Sequence, residues 1–466
     1  MNKILENHFR IPAGMVEIKG PQSFTAESGF FRFGPLTHCY GRRWTECAKK
    51  SELSHDSASS VRSKGGVCFL PFDLQEIVDG LRYERYISGE ANQRVGSLAR
   101  AVYYAIRPLL PVGLRRYAQR RALRGWNHPG FPVWPVDRTV DLLLEQVLLL
   151  AMEARGLQEI PFIWFWPDGS TGCITMTHDV ETKAGLRFCE ELMQMNERYR
   201  VPASFQLIPG ARYCATLDDV AGIRGRGFEV NVHDWKHDGA MFSSRQAFLE
   251  ASARVQGCVE EWNVKGFRSG ALYRNPDWIS EMKIAYDMSV PTSGRLEAQP
   301  GGCCSLFPWF FATPSDTAHD RNAGSVLEIP VTMTQDYSLF HVLQEYSLST
   351  WEAELAEVLN GNGLASFIVH PDYIRGNREQ RLYLSLLEQI SRLRSDHKVW
   401  VAAPAEIHQW WSLRAGMTLV RMGDGWCVEG EGSERASIAW ARRSEEGLYF
   451  KVDQMVSAEG ELYSES

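Results

Sequence analysis

From about residue 166 to residue 412, short β-like runs alternate with longer amphipathic stretches. The runs are Cys173–Thr177, Ala203–Ile208, Phe228–Val232, Lys265–Phe267, Val326–Val331, Ala365–Val369 and Lys398–Ala402. Between several of them, apolar residues recur at helical spacing, as in Thr182–Tyr199, Ser244–Glu261 and Arg378–Leu393. Parallel strands need a crossover, and a helix supplies one, so the alternation predicts a parallel α/β fold. Seven such runs fit an incomplete, seven-stranded (β/α) barrel better than a small open sheet.

The flanks differ. Residues 1–165 predict a mainly helical N-terminal region. Asp73–Leu81 aligns Leu74, Ile77, Val78 and Leu81, and Asp137–Leu157 carries Leu142, Leu143, Val147, Leu148 and Met152. Gly65 and Gly66 lead into a short apolar run, Val67–Pro71, which predicts a buried strand. Residues 413–466 hold short runs, Thr418–Arg421, Gly425–Val428, Ala436–Ala441 and Gly447–Val452, separated by Gly-Asp-Gly, Gly-Glu-Gly and Glu-Glu-Gly. That punctuation predicts a small antiparallel β appendage.

Within the barrel region, four apolar runs end in ionisable residues. CITMT leads to His178, Asp179, Val180 and Glu181; FEVNV leads to His233, Asp234, Trp235, Lys236 and His237; VKGF leads to Arg268, Ser269 and Gly270; ASFIV leads to His370 and Asp372. In a parallel barrel all strand C-termini share one face, where the active site lies. Two histidines four apart can share one metal ion, as they do when one helical turn brings both rings together. A carboxylate would complete three protein ligands and leave a position for water. A second carboxylate could take a proton from that water, a third histidine could protonate a leaving amine, and a buried arginine could hold the base ionised. The inventory describes hydrolysis of an amide or ester. Each piece alone has an ordinary reading: Asp179 and Glu181 at a helix start, His370 in the core, Arg268 in a structural ion pair. Their coincidence at one strand end favours an active site.

The segments THDVE, HDWKH, FRSGALYRN, YDMS and FIVH, in this order, resemble the five motifs of the polysaccharide deacetylase (NodB-homology) family, carbohydrate esterase family four, over about residues 170 to 410. RNPDW and QPGGCCSLFPWF resemble a subgroup linked to bacterial surface-glycan biosynthesis. The resemblance implies that Asp179 is the catalytic base, that His233 and His237 hold one divalent metal ion (zinc foremost), that Arg268 pairs with the base and that His370 is the general acid. It places Asp287 where a carboxylate would tune that histidine. The first motif departs from the common pair of adjacent aspartates. Val180 follows Asp179, so Glu181 becomes the third ligand if this chain follows the Asp-x-Asp version; His178 or Asp179 itself stands in if Glu181 points away. The usual proline and tyrosine after the motif-three arginine are missing, which leaves a backbone N–H near Ser269 or Gly270 as the oxyanion donor.

Three functions follow from these residues. The first is removal of an N-acyl group, N-acetyl before others, from a sugar or a lipid-linked glycan precursor. The second is hydrolysis of another non-peptide C–N bond, a formamide or imide. The third is a catalytically silent glycan-binding or assembly protein. A net charge of −7 argues against nucleic acid as partner. The N-terminus lacks an apolar h-region, no run of 18 apolar residues occurs, and the ten cysteines form no CxxC pair. The expected location is therefore the cytoplasm. Residues 100–124, with Arg107, Arg115, Arg116, Arg120, Arg121 and Arg124, offer a peripheral contact with anionic lipid or, more plainly, a solvated helix face. Cys303 and Cys304 fit a packed loop, and Trp309, Phe310 and Phe311 fit either a sugar-binding wall or core. Oligomeric state is not encoded in any of these features.

Overall fold

The computed structural model describes residues 2–45, 56–87, 121, 130–210, 212–312 and 325–453. The arginine-rich stretch 100–124 lies outside the described residues, Arg121 excepted, and with it the lipid contact expected there. Among the described residues no helix is long and apolar enough to cross a membrane.

Strand β1 (Cys173–Val180) is buried at every position, as expected of a parallel strand covered on both faces. It sits beside β8 (Leu364–Ile368) on one side and β2 (Ala203–Leu207) on the other, and β9 (Trp400–Val401) pairs with its first two residues. The sheet continues through β3 (Glu229–His233), β4 (Gly266–Arg268), β5 (Tyr286–Asp287), β7 (Leu327–Glu328) and finally β6 (Trp309–Phe310). All these ladders are parallel except β6 with β7. The crossovers are α1 (Lys183–Arg198), α2 (Leu217–Arg224), α3 (Arg245–Glu261), α4 (Ser349–Asn360) and α5 (Asn377–Asp396), and α6 (Pro404–Gly416) follows β9. Helix α1 starts where it does because the Thr182 hydroxyl accepts from the Ala184 and Gly185 amides.

The sheet curls, and its two ends meet across a side chain instead of a ladder. Thr332 donates its hydroxyl to Leu364 O at 2.6 Å and accepts from Ser366 N at 2.9 Å. The seven expected strands become nine in this sheet. The additions, β5 and β6, are two residues each.

Among its described residues, the N-terminal region holds both helices and strands. Helices Asn2–Phe9, Leu74–Arg82 and Thr139–Arg155 stand with a three-stranded sheet, built from Ile18–Lys19, Arg62–Lys64 and Val67–Phe69, and a hairpin of Gly29–Arg32 with His38–Gly41. The C-terminal residues form two hairpins, β10 (Thr418–Met422) with β11 (Gly425–Glu429) and β12 (Ile438–Ser444) with β13 (Gly447–Val452). β12 also pairs with Glu159–Ile163, just ahead of the barrel. At the end of α6 the buried Arg414 guanidinium donates to Trp164 O, Ile163 O and His8 O at 2.9, 2.7 and 3.0 Å.

Candidate active site and metal centre

Side chains alternate across a strand, and β1 uses this to separate neighbours. His178 points into the layer between sheet and helices. Its Nδ1 lies 3.0 Å from Val369 O, and its Nε2 lies 3.3 Å from both Asn196 Nδ2 and Tyr383 Oη. Burial lowers its pKa to about 4. It is a neutral, fully engaged core histidine, turned away from the other candidates. Asp179 points to the opposite face.

The ladder between β3 and β4 sets Arg268 beside His233. Arg268 is fully buried, with Nη1 3.4 Å from Asp179 Oδ1. The other Asp179 oxygen is 3.8 Å from His233 Nε2. Burial alone would raise the pKa of Asp179, but the Arg268 guanidinium foremost, with the rings of His233 and His370 beside it, outweighs burial, and the carboxyl is held below its usual range. His233 Nδ1 lies 3.2 Å from Arg268 O, which marks it as the N–H nitrogen and leaves the Nε2 lone pair facing the site. Burial lowers the pKa of His233 to about 3, so the ring is in the neutral, metal-binding form.

His233 and His237 do not share a helical turn. β3 ends at His233, and the next residues form a loop with Asp234 and His237 in the left-handed region, at φ 57° and 54°. Asp234 N donates to Arg268 O at 2.8 Å, and Trp235 N to Asp234 Oδ1 at 2.6 Å. The loop brings the two rings to 4.7 Å between centroids, at 68° to each other. Gly270 permits this packing: a Cβ there would meet Asp234 Oδ2 at 2.6 Å and the His237 ring at 3.1 Å. Left-handed non-glycine residues cluster around sites where geometry matters more than local comfort.

Glu181 completes the group. Its Oε1 is 3.0 Å from His237 Nε2 and 3.8 Å from His370 Nε2, while Oε2 is 3.2 Å from Arg212 Nη1. Burial would raise its pKa, yet His237, His370 and Arg212 hold it well below the usual carboxylate value. One oxygen of Glu181 and one nitrogen each of His233 and His237 lie within 4.8 Å of one another. Both Nε2 atoms are buried without an aligned hydrogen bond, despite the short contact of His237 with Glu181. Two orphaned imidazole nitrogens and a carboxylate oxygen converging on one point fit a divalent cation, and an N2O donor set suits zinc with a fourth position open.

His370 follows β8. Its Nδ1 lies 2.6 Å from Asp336 Oδ1, and its backbone N donates to Asp336 Oδ2 at 2.8 Å. Burial pulls its pKa down, but the charge and hydrogen bond of Asp336, with Glu181 and Asp179 behind, pull harder and raise it to about 10. Asp287, expected in this supporting place, is elsewhere. Its carboxylate accepts from Ser289 Oγ at 2.7 Å and Ser289 N at 3.1 Å, and it lies opposite Glu328 in the ladder, within electrostatic reach of Arg268. Asp287 ends β5 within electrostatic reach of Arg268, whereas Asp336, on the chain leaving β7, contacts His370. Asp336 lacks the sequence signal of the other sites, since Thr332, Thr334 and Gln335 break up the stretch between Val331 and it. It is displaced several residues beyond the strand proper.

Two other expectations meet occupied groups. Ser269 N donates to Ser289 Oγ at 2.9 Å, and Gly270 N to the Asp234 carboxylate, so neither is free as an oxyanion donor. Trp309 and Phe311 are buried, 4.5 Å apart and packed on Tyr83; they are core, as are Cys303 and Cys304.

The Asp336 contact yields a pH prediction. A general acid must be protonated, so activity should fall as pH rises through the pKa of His370. Asp336→Asn removes the charge that opposes burial, and the alkaline limb of kcat should move down by more than about one pH unit. An unmoved limb would show that Asp336 does not set this titration.

No family model matches the chain, and no curated protein matches it. Solved structures do show likeness. A polysaccharide deacetylase structure from Mycobacterium smegmatis is similar at 20% identity and a TM-score of 0.42, over 53% of this chain and 92% of that one. The Puue allantoinase is similar at 12% identity and a TM-score of 0.41, over 53% and 92%. A protein from Bordetella bronchiseptica, described as a polysaccharide deacetylase involved in O-antigen biosynthesis, is similar at 17% identity and a TM-score of 0.32, over 53% and 86%. Polysaccharide deacetylases are thus among the solved structures to which this chain is similar.

Proposed function

We propose that this chain is a metal-dependent hydrolase of the polysaccharide deacetylase type, removing an N-acyl group, N-acetyl before others, from a sugar or glycan precursor. One observation carries the reading: the Glu181, His233 and His237 cluster stands between a carboxylate held ionised by arginine and a histidine held protonated by aspartate. Those are a base and an acid on two sides of one point.

Glu181, His233 and His237 would hold the ion, which when bound polarises an acyl carbonyl and acidifies water. Asp179 takes the proton of the attacking water. Arg268 keeps Asp179 ionised and fixes its direction. As the C–N bond breaks, His370 Nε2 gives its proton to the departing amine, and Asp336 stabilises the imidazolium before transfer. Asp287 and Glu328 sit behind Arg268, within its electrostatic reach, and touch no reacting atom.

The test is release of free amine from N-acetylated amino sugars by zinc-loaded protein, alongside metal analysis of the purified chain. Amine release that disappears on metal removal supports the reading. A chain that takes up no divalent ion favours the silent glycan-binding alternative. Turnover restricted to formamides or imides favours the other C–N hydrolase. The cytoplasm, with a lipid-linked precursor at the inner membrane face, is the setting we propose for this activity.

A further inference from the structure

Glu297 lies on the loop that follows β5 and takes no part in the chemistry above. The loop is anchored from several sides. Arg274 donates to Gln299 O and Pro300 O at 3.5 and 3.3 Å, and Gln299 bonds both the backbone N and O of Arg274 at 3.1 Å. Arg274 is in turn gripped by buried Glu84 at 3.0 Å through Nε. Ser338 Oγ reaches Leu296 O at 3.5 Å. The Glu297 carboxylate accepts one hydrogen bond, from Gln335 Nε2 at 2.5 Å, and Gln335 directly precedes the aspartate that holds His370. Among the described residues its other oxygen takes part in no hydrogen bond. The charges of Arg274, His370 and Arg268 all act on this carboxyl, against the burial that raises its pKa. Its loop leaves a strand end and its carboxylate holds the residue next to Asp336, the partner of His370, so Glu297 stands half-buried beside the support of the catalytic histidine with one oxygen left over.

A carboxylate so placed is an acceptor waiting for a donor. A fixed polar group left unpaired penalises any ligand that cannot complete it, which is how a site selects for a hydroxyl. We infer that Glu297 is a specificity-determining residue that accepts a hydrogen bond from a ring hydroxyl of the sugar carrying the N-acyl group. The inference rests on the deacylase reading and names its substrate class as a hydroxylated amino sugar.

The test uses zinc-loaded wild type and Glu297→Gln. Substrates are methyl glycosides of N-acetylated amino hexoses, their monodeoxy analogues, and 4-nitrophenyl acetate as an acyl donor without sugar hydroxyls. The substitution should lower kcat/KM for the hydroxylated sugar about tenfold to a hundredfold, mainly through KM. Ester hydrolysis should stay within about twofold, and one monodeoxy sugar should be indifferent to the substitution. Thermal melting checks that the variant folds, and Glu297→Ala gives a second variant. Equal losses on ester and sugar, or a loss undiminished across all deoxy analogues, would overturn the inference while leaving the deacylase reading intact. Wild type that releases neither amine nor nitrophenol strikes down both.

Discussion

Asp179→Asn is expected to lower turnover about a thousandfold while leaving zinc content unchanged. General-base catalysis is commonly worth ~10² to 10⁴, and an amide oxygen cannot take the proton of water. The side chain lies outside the Glu181, His233 and His237 cluster and is paired with Arg268 at 3.4 Å, so the ligands should remain in place. Removing one partner of a buried pair often destabilises by about 3 to 5 kcal/mol. The asparagine oxygen can still accept from Arg268 Nη1 at the place of Asp179 Oδ1, and the thermal transition shows whether the variant folds. Zinc by elemental analysis, the thermal transition and kcat would be measured on one preparation. Full activity in the variant would remove Asp179 from the mechanism; loss of zinc would make it a ligand.

The second large effect concerns the ion. His233→Ala should weaken zinc binding by more than about a hundredfold, since outer contacts alone are commonly worth ~10- to 100-fold, and activity should fall to background. Metal binding to the folded form alone stabilises by mass action, about 2.7 kcal/mol at a hundredfold excess over Kd. Zinc should therefore raise the thermal transition of the wild type, a chelator should reverse the rise, and His233→Ala should show neither response. A transition indifferent to zinc in the wild type would deny the metal site. His370→Ala should separate the roles, keeping the zinc-dependent rise while losing turnover.

Much of the barrel is legible in the chain because burial on both faces forces continuous apolar runs. β1, β2, β3, β4 and β8 sit within a few residues of the runs read from sequence. β7 and β9 lie inside the runs Val326–Val331 and Lys398–Ala402, whereas the equally short β5 and β6 coincide with none of the seven runs. The site is legible where a polar residue ends a strand abruptly, as at Asp179, His233, Arg268 and His370. It is illegible where the chain travels before delivering its side chain. Asp336 lies past the end of β7, and motif spacing points to Asp287 instead. The His233 to His237 spacing reads as a helical turn, yet left-handed backbone at Asp234 and His237 achieves the same convergence in a loop. Sequence spacing constrains which residues can meet and says little about the backbone path that joins them. Glu181 and His178 illustrate the point: only the alternation of β1 decides which of them faces the cluster.

The Arg414 guanidinium has a consequence for how the molecule comes apart. Its partners are carbonyls of residues 8, 163 and 164, contributed by the first helix and by the stretch just before the barrel, while the arginine itself ends the last barrel helix. Peeling away any of the three strips a buried cation of its acceptors, a cost that a surface contact would not impose. The opening residues and the closing helix of the barrel are thereby tied into one cooperative unit, so fraying at either should register at the other before the sheet itself loosens.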